Sequence, residues 1–392
     1  MAPDPLVIRG LSTISPLGAS DAEVHETLTL GVGRPSSTPA GAVFRLTQPG
    51  ESLVEALARE KGPLSSCDRA ALLATAAARS ALAKGGIPVQ DIGCIAIGSA
   101  RGAALSLEET ILCHAAGRSA LRPDTSPRTT AGSISAHVAH ETCGVPGAPV
   151  ASVSTSMTCT SAFHALLVAC AFVRSGMSKA ALFGGTEACL TPYTIAQLAA
   201  LRIYSNGAGE LPCTPCIQGD TTANSVVLGE GAGAALLVPS GGMRREGDLA
   251  LLGIGWALES IPSATGISPD GVGFEQSMQM AVSTLPPGVS IDAVVVHAPG
   301  TNKGDEAELR AIRRTLGDVP LCSTKHLTGH TYGASGMVSL GMAQWLLAGN
   351  SWSGFPYPSK GGPAGISSAR AVLVNTAGFG GNAISVVVAH AC

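Results

Sequence analysis

Short apolar runs closed by glycine alternate along this chain with longer segments whose apolar residues recur at helical spacing. Leu6–Arg9, Cys94–Ile97, Val150–Ser154 and Ala180–Phe183 read as strands, Val150–Ser154 as a buried one. Ala234–Val238, Leu251–Ile254, Ala293–Val296 and Ala371–Val374 continue the series. Between them, Ser20-Asp21-Ala22-Glu23 is a capping box that opens a helix. Arg69–Leu82 is an alanine-rich helix stopped by Gly85-Gly86, and Thr160–Arg174 is a helix stopped by Gly176. Glu306–Leu316 and Gly336–Leu347 complete the predicted helices. Strands alternating with helices predict α/β layers whose sheets are covered on both faces. No Pro/Ser linker or charge block divides the chain. The one break, near Pro239–Gly242, separates residues 1–240 from 241–392, two stretches of similar make-up that fit a duplication of βα halves.

Composition narrows the class. Charged residues are 13% and hydrophobic residues 45% of the 392, against about 25% charged in an average soluble domain. That excludes disorder. The net charge of −3 leaves no basic surplus to neutralise phosphates, so nucleic acid is not an expected partner. Mean hydropathy of +0.32 raises the question of a membrane. The longest apolar runs, Ala162–Val173 and Met337–Ala348, are about twelve residues against the ~20 a spanning helix needs, so no membrane span is expected. Low charge with surplus apolar surface instead predicts burial between subunits. Met1–Pro5 has no basic segment leading into an apolar one, and the eleven cysteines are scattered and odd in number. Both point to the reducing cytoplasm and buried thiols. Cys213-Thr214-Pro215-Cys216 sits in loop-like sequence with no second pair nearby, so neither zinc nor redox chemistry is expected of it.

Four segments carry candidate chemistry. In Ser156-Met157-Thr158-Cys159-Thr160-Ser161 a strand has ended and a helix is beginning. Free N–H groups at a helix start favour negative charge, so a thiol there should ionise more easily and act as a nucleophile. A buried small hydrophobe is the competing reading, and it suits Cys170 better. His297 follows the apolar run Ala293–Val296, where a parallel strand leaves its sheet; a structural role competes here too. Lys325 and His330 lie in a loop leading into a small-residue helix start. Gly378-Phe379-Gly380-Gly381-Asn382 is a glycine turn whose backbone N–H groups can hold an oxyanion. Gly229-Glu230-Gly231-Ala232-Gly233 lacks the Lys-Ser/Thr of a phosphate loop and reads as a packing turn.

Taken in order, these segments resemble the β-ketoacyl synthases of the thiolase superfamily, in the acyl-carrier-protein-dependent Cys-His-His class. The likeness runs from Gly10-Leu11-Ser12-Thr13-Ile14-Ser15-Pro16-Leu17-Gly18 to the closing glycine turn. It implies a five-layer αβαβα fold built from two pseudo-duplicated halves, 1–240 carrying the nucleophile Cys159 and 241–392 carrying His297 and His330. It implies that Cys159 takes up an acyl group and that malonyl-carrier is decarboxylated and condensed with it. It gives Lys325 an electrostatic role, paired with Glu308 and near Asp305. Phe379 becomes a gate, with Gly378 and Gly380 beside it, and Thr301 a contact of the phosphopantetheine arm. The arm belongs to the acyl carrier protein, so no metal and no diffusible cofactor is implied. Acidic carrier implies a basic patch, for which Arg69, Arg202, Arg244 and Arg245 are candidates. A homodimer or a heterodimer with a related chain is implied, with Val150–Ser154 pairing across the two-fold axis. The run Gly185-Thr186-Glu187-Ala188-Cys189-Leu190-Thr191-Pro192-Tyr193-Thr194-Ile195-Ala196-Gln197 looks more like the ketosynthases of aryl-polyene and flexirubin pigment clusters than those of fatty-acid synthesis.

The sequence departs from the family pattern at three places. Pro299 replaces the first threonine after the histidine. Ala223-Asn224-Ser225-Val226-Val227 replaces Arg-Asp-Gly-Phe-Val, removing a charge pair and predicting a looser loop. Residues 124–147, where the resemblance puts the acyl pocket, match poorly. The first two departures motivate an alternative: a ketosynthase-fold partner, or a decarboxylating subunit of a heterodimer with little condensation activity of its own.

Overall fold

The computed structural model describes residues 5–60, 67–118, 121–143, 149–207, 209–219, 223–241, 245–261, 263, 265–361 and 365–391. The first four residues, Gly242, Arg244 and residues 144–147 of the poorly matching segment lie outside them.

Ten of the strands among the described residues form one large sheet, interleaved with helices. The first half runs β1 (Leu6–Ile14), α1 (Arg69–Gly85), β2 (Ile92–Gly98), α2 (Ser133–Cys143), β3 (Ala151–Thr155), α3 (Ser161–Arg174), β4 (Ala180–Glu187) and β5 (Gly231–Pro239). The second runs β6 (Leu249–Leu258), α4 (Val272–Val282), β7 (Ala293–Val295), α5 (Asn302–Leu316), β8 (Leu321–Cys322), α6 (Ser335–Leu347), β9 (Ala371–Gly378) and β10 (Asn382–His390). The sheet order is β8-β7-β9-β10-β6-β1-β5-β4-β2-β3. Counted outward from the β1–β6 seam, both halves therefore place their strands first, fifth, fourth, second, third. This shared permutation is the predicted duplication in physical form.

Period-two alternation sends each strand's side chains into two cores. Ile8, Ala96, Phe183 and Leu237 share one cluster with Val295, Val374 and Val386 from the other half, around α3 and α6. Their neighbours Val7, Ile95, Leu182 and Leu236 pack beneath α1. Val294, Leu373 and Val387 pack against α4 and α5. Helix α6 packs on β7, β9 and β10 of one half and on β1, β4 and β5 of the other, so the halves lie on either side of it. The result is the five-layer αβαβα arrangement. Ser20 accepts the backbone N–H of Glu23, as the capping box requires.

Two expectations change. Gly231 and Gly233 belong to β5 rather than to a turn. A Cβ on Gly233 would sit 2.5 Å from the Met337 Cβ of α6, so the missing side chain is what lets that helix approach the sheet. The predicted buried strand Val150–Ser154 becomes β3, which among the described residues pairs only with β2 and is half-exposed along its length. Its free edge is a pairing template.

Candidate active site

The loop from β3 to α3 is a sharp elbow. Thr158 takes a left-handed φ of 51°, strained for a β-branched residue. The Ser161 hydroxyl donates to Thr158 O at 2.6 Å and accepts from Met157 N at 2.9 Å, holding the elbow closed. Cys159 sits on the single 3-10 turn Thr158–Thr160 that leads into α3, and is 7% exposed.

His297 follows β7. Its backbone N–H and that of Ala298 donate to Glu308 of α5 at 2.8 and 2.7 Å, and Asn375 Nδ2 of β9 donates to the same carboxylate at 3.0 Å. One turn earlier on α5, Asp305 accepts from Gly300 N, Thr301 N and Cys216 N at 3.2, 3.0 and 2.9 Å. The two carboxylates thus pin the loop that carries His297. Burial lifts Asp305 to about 7 and raises Glu308 as well, while the donated N–H groups pull both back.

Residues after β8 bring the remaining groups. Lys325 opens a helical turn and is 2% exposed. His330 N donates to Val227 O at 2.7 Å and Gly229 N donates to His330 O at 3.1 Å, which fixes the histidine backbone. Tyr332 then takes a left-handed φ of 43° before α6, at the position in the second half that Thr158 holds in the first.

These loops converge on one buried point. His330 Nε2 lies 2.9 Å from Cys159 Sγ. The His297 and His330 rings meet edge to face with centroids 5.3 Å apart. The sulfur and one nitrogen of each ring all lie within 4.8 Å of one another. At the end of β9, a Cβ on Gly378 would fall 1.9 Å from Thr158 Oγ1 and 3.1 Å from Cys159 N, so only glycine admits this approach. Gly380, with φ 91°, turns the chain towards β10 and leaves Phe379 38% exposed beside the elbow. Thr301 occupies the N-cap position of α5 and donates its backbone N–H to Asp305 at 3.0 Å.

The electrostatics correct one expectation. Burial pushes the Cys159 thiol up to about 12, with Lys325 pulling it down and Glu187 pushing it further up. Burial thus outweighs the Lys325 charge at this thiol. Burial first, and then the Lys325 charge, hold both histidines well below their ordinary value, so both are neutral. Lys325 itself is lowered by burial, and Glu308 counteracts this through space. Glu308 makes no ion pair with it among the described residues, because its oxygens are taken by N–H donors. The sulfur and two imidazoles are spaced closely enough to bind a metal ion, yet the same Lys325 charge would repel a dication.

The loop at 223–227 is pinned rather than loose. Ser225 N and Oγ donate to Gly300 O at 2.7 and 3.4 Å, Thr214 N donates to Ser225 Oγ at 3.1 Å, and Asn302 N donates to Asn224 Oδ1 at 3.0 Å. Neutral hydrogen bonds thus do the holding without the missing charge pair. Arg69 is no free docking charge, since Glu51 and Glu230 pair with it at 2.5 and 2.8 Å. Arg245 reaches Gly85 O at 2.8 Å. Cys213 and Cys216 are buried and unpaired.

Two neighbours of the site had no assigned role in the sequence reading. Glu187, the last residue of β4, accepts from Ser99 Oγ, Ala100 N, Arg101 N and Gly333 N at 3.0, 2.8, 3.2 and 3.1 Å. Burial lifts its carboxyl to about 7. A carboxylate ending so apolar a run was its only sequence signal. Tyr332 stacks on His330 with centroids 5.2 Å apart.

Residues 4–240 match the family model "Beta-ketoacyl synthase, N-terminal domain", and residues 251–350 match "Beta-ketoacyl synthase, C-terminal domain". The chain is 30% identical over 358 residues to the tetracenomycin polyketide synthase ketoacyl synthase alpha subunit of Streptomyces glaucescens, covering 86% of this chain and 83% of that one. It is 30% identical over 195 residues to 3-oxoacyl-[acyl-carrier-protein] synthase 2 of Vibrio harveyi, covering 47% and 46%. The ishigamide ketosynthase/chain length factor structure superposes with a TM-score of 0.85 at 21% identity, over the whole of both chains.

Proposed function

The chain belongs to the β-ketoacyl synthase family, and on that premise we propose that it joins an acyl group held on Cys159 to the two-carbon unit of malonyl-carrier protein. The observation that carries this reading is the single buried point shared by Cys159 Sγ, His297 and His330, with Sγ and His330 Nε2 in contact at 2.9 Å.

In the first step Cys159 sulfur attacks the thioester of an acyl-phosphopantetheine. The acyl–sulfur bond to the carrier breaks, and the thiol proton ends on the departing arm. In the second step malonyl-carrier loses carbon dioxide. Negative charge builds on its thioester oxygen, where Nε2–H groups of His297 and His330 are placed to receive it. The resulting carbanion attacks the acyl carbon on Cys159. The backbone N–H groups of Cys159 and Phe379, held together by the close approach of Gly378, take the tetrahedral oxyanion. The carbon–sulfur bond then breaks, the Cys159 thiolate takes up a proton from solvent, and the lengthened β-ketoacyl chain leaves on the carrier. Lys325 acts through space by keeping both imidazoles neutral, and Glu308 and Asp305 act by fixing the His297 loop.

An acyl carrier protein is the expected partner, supplying the phosphopantetheine so that no separate cofactor is required. The free edge of β3 supports pairing with a second ketosynthase-like chain, its own copy or a related one. The 1–240 and 241–392 halves would serve as nucleophile and histidine carriers. No helix among the described residues is long and apolar enough to cross a membrane, and a cytoplasmic site of action is part of the proposal. The complete Cys159, His297 and His330 set, with the pinned 223–227 loop, favours a condensing subunit over the non-condensing partner. Thr301 and a pigment-type acyl substrate remain part of the proposal through resemblance alone.

Intact-protein mass spectrometry after exposure to acyl-carriers of varied length and saturation tests this reading. An acyl adduct confined to Cys159, followed by a β-ketoacyl product once malonyl-carrier is added, is expected. Loading without condensation would return the decarboxylating-partner reading.

A further inference from the structure

The His330 ring sits at the centre of the site, yet its Nδ1 is buried without a hydrogen-bond partner. Such a ring usually has its orientation set by what the second nitrogen bonds to. Here the backbone is fixed by Val227 and Gly229, and the ring meets Cys159 Sγ through Nε2, but nothing polar holds it from the Nδ1 side. What meets the ring instead is aromatic. Tyr332 lies nearly parallel to it, at an interplanar angle of 25° with centroids 5.2 Å apart, and His297 meets it edge-on.

Tyr332 is itself held firmly. Its backbone is left-handed, a conformation that glycine adopts freely and a residue with a side chain does not. The next N–H, of Gly333, donates into buried Glu187, and Ala334 N donates to Thr331 O at 2.9 Å. The Tyr332 side chain packs in one cluster with Cys159, Cys189, Ile195 and Leu198. A strained, anchored and buried aromatic ring against an imidazole whose Nδ1 lacks a polar partner is a positioning device.

We propose that Tyr332 is a positioning residue of the reaction, its ring face aiming His330 Nε2 at the thioester oxygen in place of a hydrogen bond on Nδ1. The face also suits any positive charge that builds on the imidazole as it donates. Glu187 belongs to the same device, because its bond to Gly333 N holds the elbow from which the tyrosine projects.

This inference rests on the condensing-enzyme reading, and its test separates the two. Acyl loading of Cys159 and carbon dioxide release from malonyl-carrier are measured separately for Tyr332→Phe, Tyr332→Leu, His330→Ala and the His330→Ala/Tyr332→Leu double variant, with thermal melts alongside. Tyr332→Phe is expected to release carbon dioxide within about twofold of wild type. Tyr332→Leu is expected to fall roughly tenfold or more while loading stays within about twofold. In the His330→Ala background the leucine substitution is expected to add nothing. Equal release by Tyr332→Leu and Tyr332→Phe, or a leucine effect of the same size with and without His330, overturns the proposal. Should Tyr332→Leu fail to fold, Tyr332→Met takes its place under the same criteria. Failure of the wild-type chain to load Cys159 or release carbon dioxide would instead refute the enzymatic reading.

Discussion

Cys159 Sγ and His330 Nε2 stand 2.9 Å apart although 171 positions of chain separate the residues. Both belong to elbows that follow the third strand of their half, so the contact is set by the duplicated strand order rather than by local sequence. Burial makes the sulfur a protonated thiol at rest, with a pKa near 12.

The first prediction concerns that thiol. A raised pKa means little thiolate at neutral pH, so alkylation of Cys159 by iodoacetamide should keep rising as pH passes 9 rather than level off near the ordinary thiol value of about 8.5. The measurement is the site-specific rate by mass spectrometry between pH 6 and 10. A plateau below pH 8 would mean that the helix start and Lys325 outweigh burial. Cys159→Ala should abolish acyl-enzyme formation altogether.

His297→Ala and His330→Ala should each spare loading and slow malonyl decarboxylation by about 10²–10³-fold, the typical loss of one oxyanion donor. Carbon dioxide release under single-turnover conditions reads this. Wild-type release in both variants would remove the histidines from the step.

Gly378→Ala would drive a methyl group into Thr158 Oγ1 and towards Cys159 N. Displacement of the elbow by a fraction of an ångström or more should cost roughly 10²-fold in condensation rate. Adding Thr158→Ala removes the closest clash and should restore part of the loss. A Gly378→Ala variant with wild-type turnover would show that the oxyanion site lies elsewhere.

His326 supplies a stability prediction. Its ring is buried among Trp352, Phe355 and Tyr357 at centroid distances of 5.5, 5.8 and 6.2 Å, with no well-formed hydrogen bond on either nitrogen among the described residues and only the Ser323 backbone favouring its charged form. Burial lowers it to about 4 from 6.5. The unfolded chain therefore binds a proton that the folded one refuses between those values. The stability this group permits is full above pH 6.5 and is lost as pH falls towards 4, by up to about 3 kcal/mol. His326→Phe should lose less stability than wild type on acidification in chemical denaturation at pH 7 and pH 4.5. Identical losses would place the acid sensitivity in other groups.

The site was legible where chemistry is carried by residue type at a chain landmark. Cys159 before a helix and His297 after a strand needed only the apolar pattern to be placed. The glycine turn at Gly378 was legible for the same reason. What the sequence could not show depended on distant partners. Nothing in Thr158 or Tyr332 announces a positive φ, because neither residue favours one. Glu308 and Lys325 interact through space rather than as a direct ion pair among the described residues, because the carboxylate is already occupied by two backbone N–H groups and Asn375, a competition visible only once β9 lies beside α5. Val150–Ser154 reads as buried from its apolar start, but sheet position decides exposure, and β3 lies at the edge.

Each half's fourth strand ends against the other half's elbow. Gly378 closes on Cys159, and Glu187 closes on Gly333. The two halves therefore brace one another crosswise, and neither can shape its own loop in isolation. If the polypeptide were severed near residue 240, the sulfur would regain its setting only when the fragments reassociated, which makes reactivity at that atom a reporter of their docking.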